Sequence, residues 1–108
     1  MIDIDGATVG MVDIFDFDRR ARHAFVGIYV SERYRRGGIA RAALDKVGRY
    51  VADNLSMHSL AAIVAVDNGP SLRLFESAGY TVSGRLRSWL LRDFRRTDAL
   101  LLQLPLSE

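Results

Sequence analysis

The segment YRRGGIARAAL, residues 34–44, restricts the fold of this chain more than any other part of it. It lies between a stretch with the apolar alternation of a strand and a stretch with the apolar spacing of a helix. Gly37 and Gly38 permit the tight turn that such a junction requires, and the first N–H groups of the following helix have no backbone partners. Arg35 and Arg36 add guanidinium groups, which bind phosphate oxygens in a bidentate manner. The segment therefore predicts a strand, a turn and a helix whose N-terminus binds a pyrophosphate.

The stretch before this turn, residues 22–30, predicts a strand at the centre of a sheet. Its alternate residues are Ala24, Val26, Ile28 and Val30 on one face and Phe25, Gly27 and Tyr29 on the other. A strand that is apolar on both faces is expected to be covered on both sides. Two earlier strands are predicted over residues 2–5 and 8–17, with a break at Gly6.

After the turn, residues 38–55 predict a helix because their apolar residues recur at helical spacing. The expected buried stripe consists of Ile39, Ala43, Val47, Tyr50, Val51 and Leu55. Residues 60–66 predict a buried strand, and residues 67–70 predict a turn that starts a second helix, 71–78, which ends at Gly79. Two closing strands are expected over residues 80–89 and 97–104. This order predicts a single α/β domain over residues 1–108, with helices packed on a mixed sheet.

Length and composition limit the classes of protein that this chain can represent. It has 108 residues, of which 49% are hydrophobic, and no cysteine. A chain of this size has one core, and the lack of cysteine excludes disulfides, thiolate catalysis and cysteine-bound zinc, so we predict no metal site. No apolar run approaches the ~20 residues of a membrane helix, and the N-terminus lacks the regions of a signal peptide. We therefore expect a cytoplasmic protein with no membrane partner.

Basic residues are clustered along the chain, although the formal net charge is only +2. The first 18 residues contain five aspartates and no basic residue, whereas arginines group at residues 19–22, 33–36 and 92–96. Such clusters are usually solvated surfaces. A nucleic-acid interface needs basic residues along one face with aromatic residues between them, so we predict no nucleic-acid partner.

Two motifs resemble those of the GNAT superfamily of acetyl-CoA-dependent N-acetyltransferases. The pyrophosphate motif of that family, Q/R-x-x-G-x-G/A, appears here as RRGGIA at residues 35–40. Its second motif, N-x-x-S/A-x-x-L-Y/F-E-x-x-G-F/Y, appears as NGPSLRLFESAGY at residues 68–80. Within the superfamily the chain is most similar to the branch of bacterial spermidine and ribosomal-protein N-terminal acetyltransferases, which Gly84, Leu86 and Asp98 also resemble.

The resemblance implies a mostly antiparallel, mixed sheet with packed helices, and acetyl-CoA as co-substrate. The end of the third strand would pair with the pantetheine arm as an added strand does, and residues 35–41 would surround the pyrophosphate. The implied acetyl-CoA-binding residues are Ile28, Tyr29, Val30, Arg35, Arg36, Gly37, Gly38, Ile39, Ala40, Arg41, Asn68, Ser71 and Phe75. For Asn68 and Ser71 the alternative role is helix capping.

The catalytic acid is not identified by the resemblance. Many members of the family have a tyrosine at the position of Phe75, and its hydroxyl protonates the departing CoA thiolate. Phenylalanine cannot donate a proton. Tyr80 and Tyr29 are candidate substitutes, although packing is the favoured role for both.

The general base is not identified either, although an amine acceptor must lose a proton before it attacks. Asp13, Asp16 and Asp18 are the nearest acidic residues in the sequence, and as strand-end and turn residues they are expected to be solvated. His23 and His58 are isolated and are expected to be structural.

The family fold normally begins with a strand and two helices that shape the acceptor pocket, and this chain has no counterpart of them. We therefore expect a fold that lacks the first strand and first two helices, with one sheet edge and some apolar surface uncovered. Three explanations are open: a missed upstream start codon, a fragment, or an oligomer in which another subunit covers the gap. A homo-oligomer is expected.

The implied function is transfer of an acetyl group from acetyl-CoA to a primary amine. A polyamine or another small amine is the expected acceptor, followed by a ribosomal-protein N-terminus or an amino sugar. The alternative, from a different class of protein, is a non-catalytic module that binds CoA for sensing or assembly.

Overall fold

The computed structural model of the chain describes residues 2–4, 7–30 and 38–106, with side chains described over 12–28 and 38–106. These residues form the strands and helices in the predicted order: β1 Ile2–Ile4, β2 Ala7–Asp18, β3 His23–Val30, α1 Ile39–Asn54, β4 Ser59–Ala65, α2 Gly69–Ser77, β5 Thr81–Arg92 and β6 Arg95–Pro105. The predicted binding residues Arg35, Arg36 and Gly37 lie outside the described residues.

The strands form one mixed sheet in the order β1-β2-β3-β4-β6-β5. Every neighbouring pair is antiparallel except β3 and β4, which are parallel. A parallel pair needs a long crossover, and α1 supplies it. The mostly antiparallel, mixed sheet predicted from the sequence is confirmed.

Both helices pack on the same face of the sheet, which we call the helix-covered face. Leu44 and Val51 of α1 and Phe75 of α2 join one core with alternate residues of the central strands. The core residues contributed by the sheet are Ala24, Val26, Leu60, Ala62, Val64 and Leu102. Because successive side chains of a strand point to opposite faces, the residues between these lie on the other side of the sheet.

The buried side of α1 differs from the predicted stripe. Leu44, Gly48 and Val51 are the buried residues of the helix, and their spacing of four and three residues places them on one side. Tyr50 and Leu55 are 57% and 38% exposed, so their predicted burial is wrong. The reason is that α1 packs against the sheet through its glycine, which turns Tyr50 toward solvent.

The opposite side of the sheet, which we call the outward face, carries Asp13, Phe15, Phe25, Gly27 and Ile63. Phe15 and Ile63 are 45% and 37% exposed. Among the described residues no helix covers this face, so the prediction that β3 is covered on both sides is wrong there. Both helices lie on the other face, and the apolar surface expected to be uncovered is present.

Strands β5 and β6 extend beyond their predicted ends and meet in a two-residue turn. Asp93 and Phe94 have φ of 48° and 63°, and positive φ at both positions is typical of a type I′ hairpin. The sequence signal for such a turn is Asn-Gly or Asp-Gly, and Asp-Phe lacks the glycine. In the described part of the chain no helix is long and apolar enough to cross a membrane.

Candidate functional site

A cleft opens between β3 and β4 in the middle of the sheet. The two strands pair only at His23 with Ser59, Ala24 with Leu60, and Phe25 with Ala61. β3 then continues to Val30 and β4 to Ala65 without further pairing to each other in the described structure. The facing backbone groups of residues 26–30 and 62–65 are therefore available to a ligand.

The cleft opens because each strand stays paired with its other neighbour. β3 remains in register with β2 as far as Val30 opposite Gly10, and β4 remains in register with β6 as far as Ala65 opposite Ala99. The sheet thus consists of two antiparallel halves, β1–β2–β3 and β4–β6–β5, which are joined only at the start of β3 and β4. Sequence analysis did not identify residues 62–65 as part of the site. Their apolar run predicted only a buried strand.

The N-terminus of α1 lies at the open end of this cleft, because α1 follows the carboxyl end of β3. Gly38 has φ 80°, and a Cβ built on it would have no atom within 4 Å. No described side chain caps the helix, and its first turn has no acidic residue. The first helical hydrogen bond between described residues runs from the Ala42 N–H to the Gly38 carbonyl. The N–H groups of residues 39–41 have no partner among the described residues, so they can bind an anionic ligand. This places the predicted residues Gly38, Ile39, Ala40 and Arg41 together.

The N-terminus of α2 lies at the same end, because α2 follows the carboxyl end of β4. The Asn68 side-chain oxygen accepts a hydrogen bond from the Ser71 N–H at 3.2 Å, and Pro70 lies in the first turn. Helix capping, the alternative role weighed for Asn68 and Ser71, is therefore present. The side-chain amide nitrogen of Asn68 has no role in this cap.

Phe75, which occupies the usual tyrosine position, and the acid candidate Tyr80 belong to the C-terminal cap of α2. The Tyr80 N–H donates to the Phe75 carbonyl and the Gly79 N–H to the Glu76 carbonyl, at 3.0 and 3.1 Å. With Gly79 at φ 100°, these bonds form a Schellman motif. The two rings meet edge to face with centroids 5.0 Å apart, which is the apolar contact that usually accompanies this motif.

The Tyr80 side chain is only 2% exposed, and its hydroxyl has no hydrogen-bond partner among the described residues. Burial raises the pKa of Tyr80 to about 12, because the phenolate would lose its hydration. Tyr29 lies in β3 at the open part of the cleft, and its side chain is outside the described set.

The acidic and histidine candidates lie at different levels along the cleft. Asp18 accepts hydrogen bonds from the Arg20 and Ala21 N–H groups at 3.0 Å each, and these bonds lower the pKa of its carboxyl. His23 pairs with Ser59 at the closed end, and His58 precedes β4 at that end. Asp13 is opposite Gly27, beside the open part. Of these candidates Asp13 is nearest to the opening.

Comparison with known proteins agrees with this architecture. The sequence profile of the acetyltransferase (GNAT) family matches residues 1–80. The L-amino acid N-acetyltransferase AaaT of Escherichia coli K12 is 29% identical over 98 residues, which is 89% of this chain and 60% of that protein. The spermidine N(1)-acetyltransferase of the same organism is 26% identical over 86 residues, covering 80% of this chain and 46% of that protein.

A solved structure has the same fold. The spermidine N-acetyltransferase from Vibrio cholerae in complex with CoA and spermine superposes with a TM-score of 0.90 at 22% identity, covering 95% of this chain and 61% of that one. The chain thus spans between 46% and 61% of the length of these three proteins. The profile match over most of the chain, together with the cleft and the two helix N-termini beside it, shows that the chain belongs to the acetyltransferase (GNAT) family.

Proposed function

We propose that this chain binds acetyl-CoA in the cleft between β3 and β4 and transfers its acetyl group to a primary amine. The observation that carries the proposal is the loss of pairing after Phe25 and Ala61. It leaves two free strand edges in the centre of a sheet, next to the uncapped N-terminus of α1. An amide-containing ligand arm fits such an edge as an added strand, and a phosphate group fits the helix terminus.

The described residues fit acetyl-CoA at both ends of the ligand. The backbone of Ile28, Tyr29 and Val30 offers N–H and carbonyl groups to the amides of pantetheine. Gly38 leaves the space that a Cβ would partly fill, so a pyrophosphate can approach the N–H groups of Ile39 and Ala40. Arg35, Arg36, Gly37 and Arg41 remain the predicted charged and turn contacts to it.

Acetyl-CoA supplies a thioester, whose carbonyl carbon forms a bond to the neutral amine nitrogen as its bond to sulfur breaks. The nitrogen then loses one proton to solvent and becomes the amide nitrogen. The chain contributes chiefly by holding amine and thioester together. A strand-end N–H near Val30 would polarise the carbonyl oxygen. Phe75 carries no proton to donate, and Tyr80, with its pKa raised to about 12, is a weak acid, so we propose that solvent protonates the thiolate.

The acceptor is proposed to be a small amine, with a polyamine first, and a ribosomal-protein N-terminus or an amino sugar next. The two curated relatives described above are named for L-amino acids and spermidine. Both acceptors contain an amino group on a small molecule. Assembly as a homo-oligomer and a cytoplasmic location stay predictions.

A non-catalytic CoA-binding module is the second candidate function. It is favoured by one observation: phenylalanine, not tyrosine, occupies position 75, and its ring is 4% exposed within the core. Such a protein would bind acetyl-CoA without consuming it.

The proposal is tested with two glycine variants of the same protein. Gly38→Ala places a methyl group at the helix terminus on a residue with positive φ, whereas Gly84→Ala adds a methyl group in equally open space with no such constraint. Calorimetry is expected to show acetyl-CoA binding that Gly38→Ala weakens about tenfold and Gly84→Ala leaves unchanged.

Turnover is measured as thiol release from acetyl-CoA with a panel of diamines, amino acids and amino sugars. Binding with thiol release that depends on an amine supports the transferase. Binding without release across the panel supports the non-catalytic module. Absence of binding contradicts both.

A further inference from the structure

Asp13 is an exposed carboxylate beside the opening between β3 and β4, on the outward face. It lies directly opposite Gly27 in the β2–β3 ladder. No described residue forms an ion pair with it. The other two aspartates of this region differ from Asp13. Asp18 caps the turn after β2, and Asp16 lies at an irregular position of β2 with φ 52°. Of these three aspartates, Asp13 is the one level with the open part of the cleft, and its carboxylate has no ion-pair partner within the part of the chain that the structure describes.

Gly27 leaves the approach from Asp13 to the cleft open. It is the first outward-facing position of β3 after the last row that pairs with β4. Among the described side chains, a Cβ built on it would contact the Phe15 ring alone, at 3.5 Å. If the parallel ladder continued, its partner on β4 would be Ile63, which is partly exposed on the same face. The path from the carboxylate to the opening therefore passes over a residue with no side chain.

Aromatic rings border this path on the closed side. Phe15 and Phe25 stack with centroids 5.9 Å apart and planes 23° from parallel. They occupy the outward-facing row next to Asp13 and Gly27. Stacked rings bind methylene groups by dispersion and attract cations at their faces. The surface thus combines a carboxylate, an apolar wall and access to the cleft.

We propose that this surface, the outward-face row of Asp13, Phe15, Phe25 and Gly27, is the acceptor subsite of the transferase and selects an amine that carries a second cationic group. The inference rests on the proposed function. One ammonium group binds the Asp13 carboxylate, the carbon chain lies along the Phe15–Phe25 pair, and the uncharged amine at the other end reaches the cleft.

The distances favour a diamine over a monoamine. Neighbouring strands are about 4.8 Å apart, so the middle of the opening lies roughly 7 Å or more from the β2 backbone that carries Asp13. A reacting amine in the cleft is therefore too far for its nitrogen to bind Asp13 directly. A chain of several methylenes with a cation at its far end spans the gap. Anionic acceptors are disfavoured by the same carboxylate.

The direct test uses NMR to detect diamine binding in the absence of turnover. We expect 1,4-diaminobutane, added to the protein with CoA, to shift the backbone amide signals of Asp13, Phe25 and Gly27. Asp13→Asn is expected to weaken this binding about two- to fivefold, the range expected for one exposed charge pair. Asp16→Asn is the matched control on the same strand and is expected to leave it unchanged.

A second variant tests the path. Gly27→Ala adds one methyl group at an ordinary contact distance from Phe15, so the fold is expected to be retained while the diamine binds more weakly. If the amide signals of Asp13, Phe25 and Gly27 do not shift when the diamine is added, the proposed subsite is wrong. So does an equal effect of Asp13→Asn and Asp16→Asn.

Kinetics separate this subsite from the proposed function. With thiol release as readout, Asp13→Asn is expected to raise the KM for 1,4-diaminobutane about two- to fivefold, with kcat little changed. It is expected to leave the KM for 1-aminobutane unchanged. A similar rise for both amines overturns the assignment. If the unaltered protein does not bind acetyl-CoA, the proposed function is contradicted. The NMR experiment still shows whether a diamine binds at the Asp13 surface.

Discussion

At the scale of single residues, the candidate acid Tyr80 packs against Phe75. Both rings are buried and touch edge to face at the end of α2, in agreement with the packing role that the sequence favoured for Tyr80. Their spacing of five residues is the spacing of the hydrogen bond that closes the helix, so the contact is dictated by the cap. Tyr80 carries a hydroxyl that the core does not use among the described residues.

Tyr80→Phe is expected to change the pH dependence of stability. The pKa of Tyr80 is raised from 10.0 to about 12 in the folded chain, so its contribution is fully present below pH 10 and is lost as pH rises toward 12. The full loss, reached above pH 12, amounts to about 2–3 kcal/mol, and about half of it is expected at pH 11. Urea unfolding at pH 7, 10 and 11 measures it.

In the Tyr80→Phe protein this alkaline loss should be absent, and the stability at pH 7 should be equal or higher because a buried, unpaired hydroxyl is removed. Tyr50→Phe removes an exposed hydroxyl and is the control. A large loss of stability at pH 7 would show that the Tyr80 hydroxyl has a partner.

At the scale of elements, two glycines of the helices have opposite roles. Gly79 ends α2 at φ 100°, and a Cβ there would lie 3.3 Å from the Leu104 side chain. Gly48 is inside α1, where a Cβ would lie 3.8 and 3.9 Å from Leu106 and Leu104, which is ordinary contact. The first glycine is required by the backbone, and the second is not.

Alanine substitutions at these two glycines are therefore expected to change the free energy of unfolding in opposite directions. Gly79→Ala should lower the free energy of unfolding by about 1–2 kcal/mol, since an L-residue is strained at positive φ. Gly48→Ala should raise it by up to about 1 kcal/mol through better helix propensity. Chemical denaturation of both variants checks this. Unchanged or higher stability of Gly79→Ala would contradict the assignment of the Schellman cap, and lower stability of Gly48→Ala would contradict the tolerance of a Cβ inside α1.

The β5–β6 hairpin depends on Asp98 at an irregular position of its ladder. The Asp98 carboxylate accepts hydrogen bonds from the Ser88 N–H at 2.7 Å and from the Arg85 Nε at 2.8 Å. Ser88 has φ 51°, and the register shifts between Leu86 and Leu90. The carboxylate thus satisfies an N–H that the shifted ladder leaves without a strand partner.

Asp98→Ala is expected to increase hydrogen exchange at the Ser88 amide and to loosen the hairpin. The Ser88 N–H, followed by Arg85, lowers the pKa of the Asp98 carboxyl, so its contribution should be present above about pH 3.8 and lost as pH falls through the lowered pKa. Hydrogen exchange at the Ser88 amide, measured by NMR above pH 3.8 and below the lowered pKa of Asp98, checks both effects. Asp93→Asn, at the exposed turn, is the control, and equal exchange in all three proteins would contradict this role.

At the scale of the whole molecule, the sheet is two antiparallel halves held together by a short parallel seam. The core beneath the seam is shared, because α1 and α2 both pack under it. A ligand in the cleft would add the missing ladder between the halves. Ligand binding and the stability of the central sheet should therefore be coupled.

Acetyl-CoA is expected to stabilise the protein by about 2.7 kcal/mol at 100 times its Kd. For a domain of this size that is a rise in Tm of roughly 10–20 °C. Amide exchange of residues 26–30 and 62–65 should slow more than that of the β5–β6 hairpin. A rise in Tm without protection at these two edges would place the ligand elsewhere.

The sequence by itself determined the order of strands and helices, the turn at Gly38, the cap at Asn68 and the stop at Gly79, because each depends on local backbone chemistry. It also identified the family, since both motifs lie on local elements. The side of α1 that is buried, the hairpin turn at Asp93 and the outward face at Asp13 depended on tertiary structure. These features arise from packing between distant segments and from strand register, which no local pattern encodes.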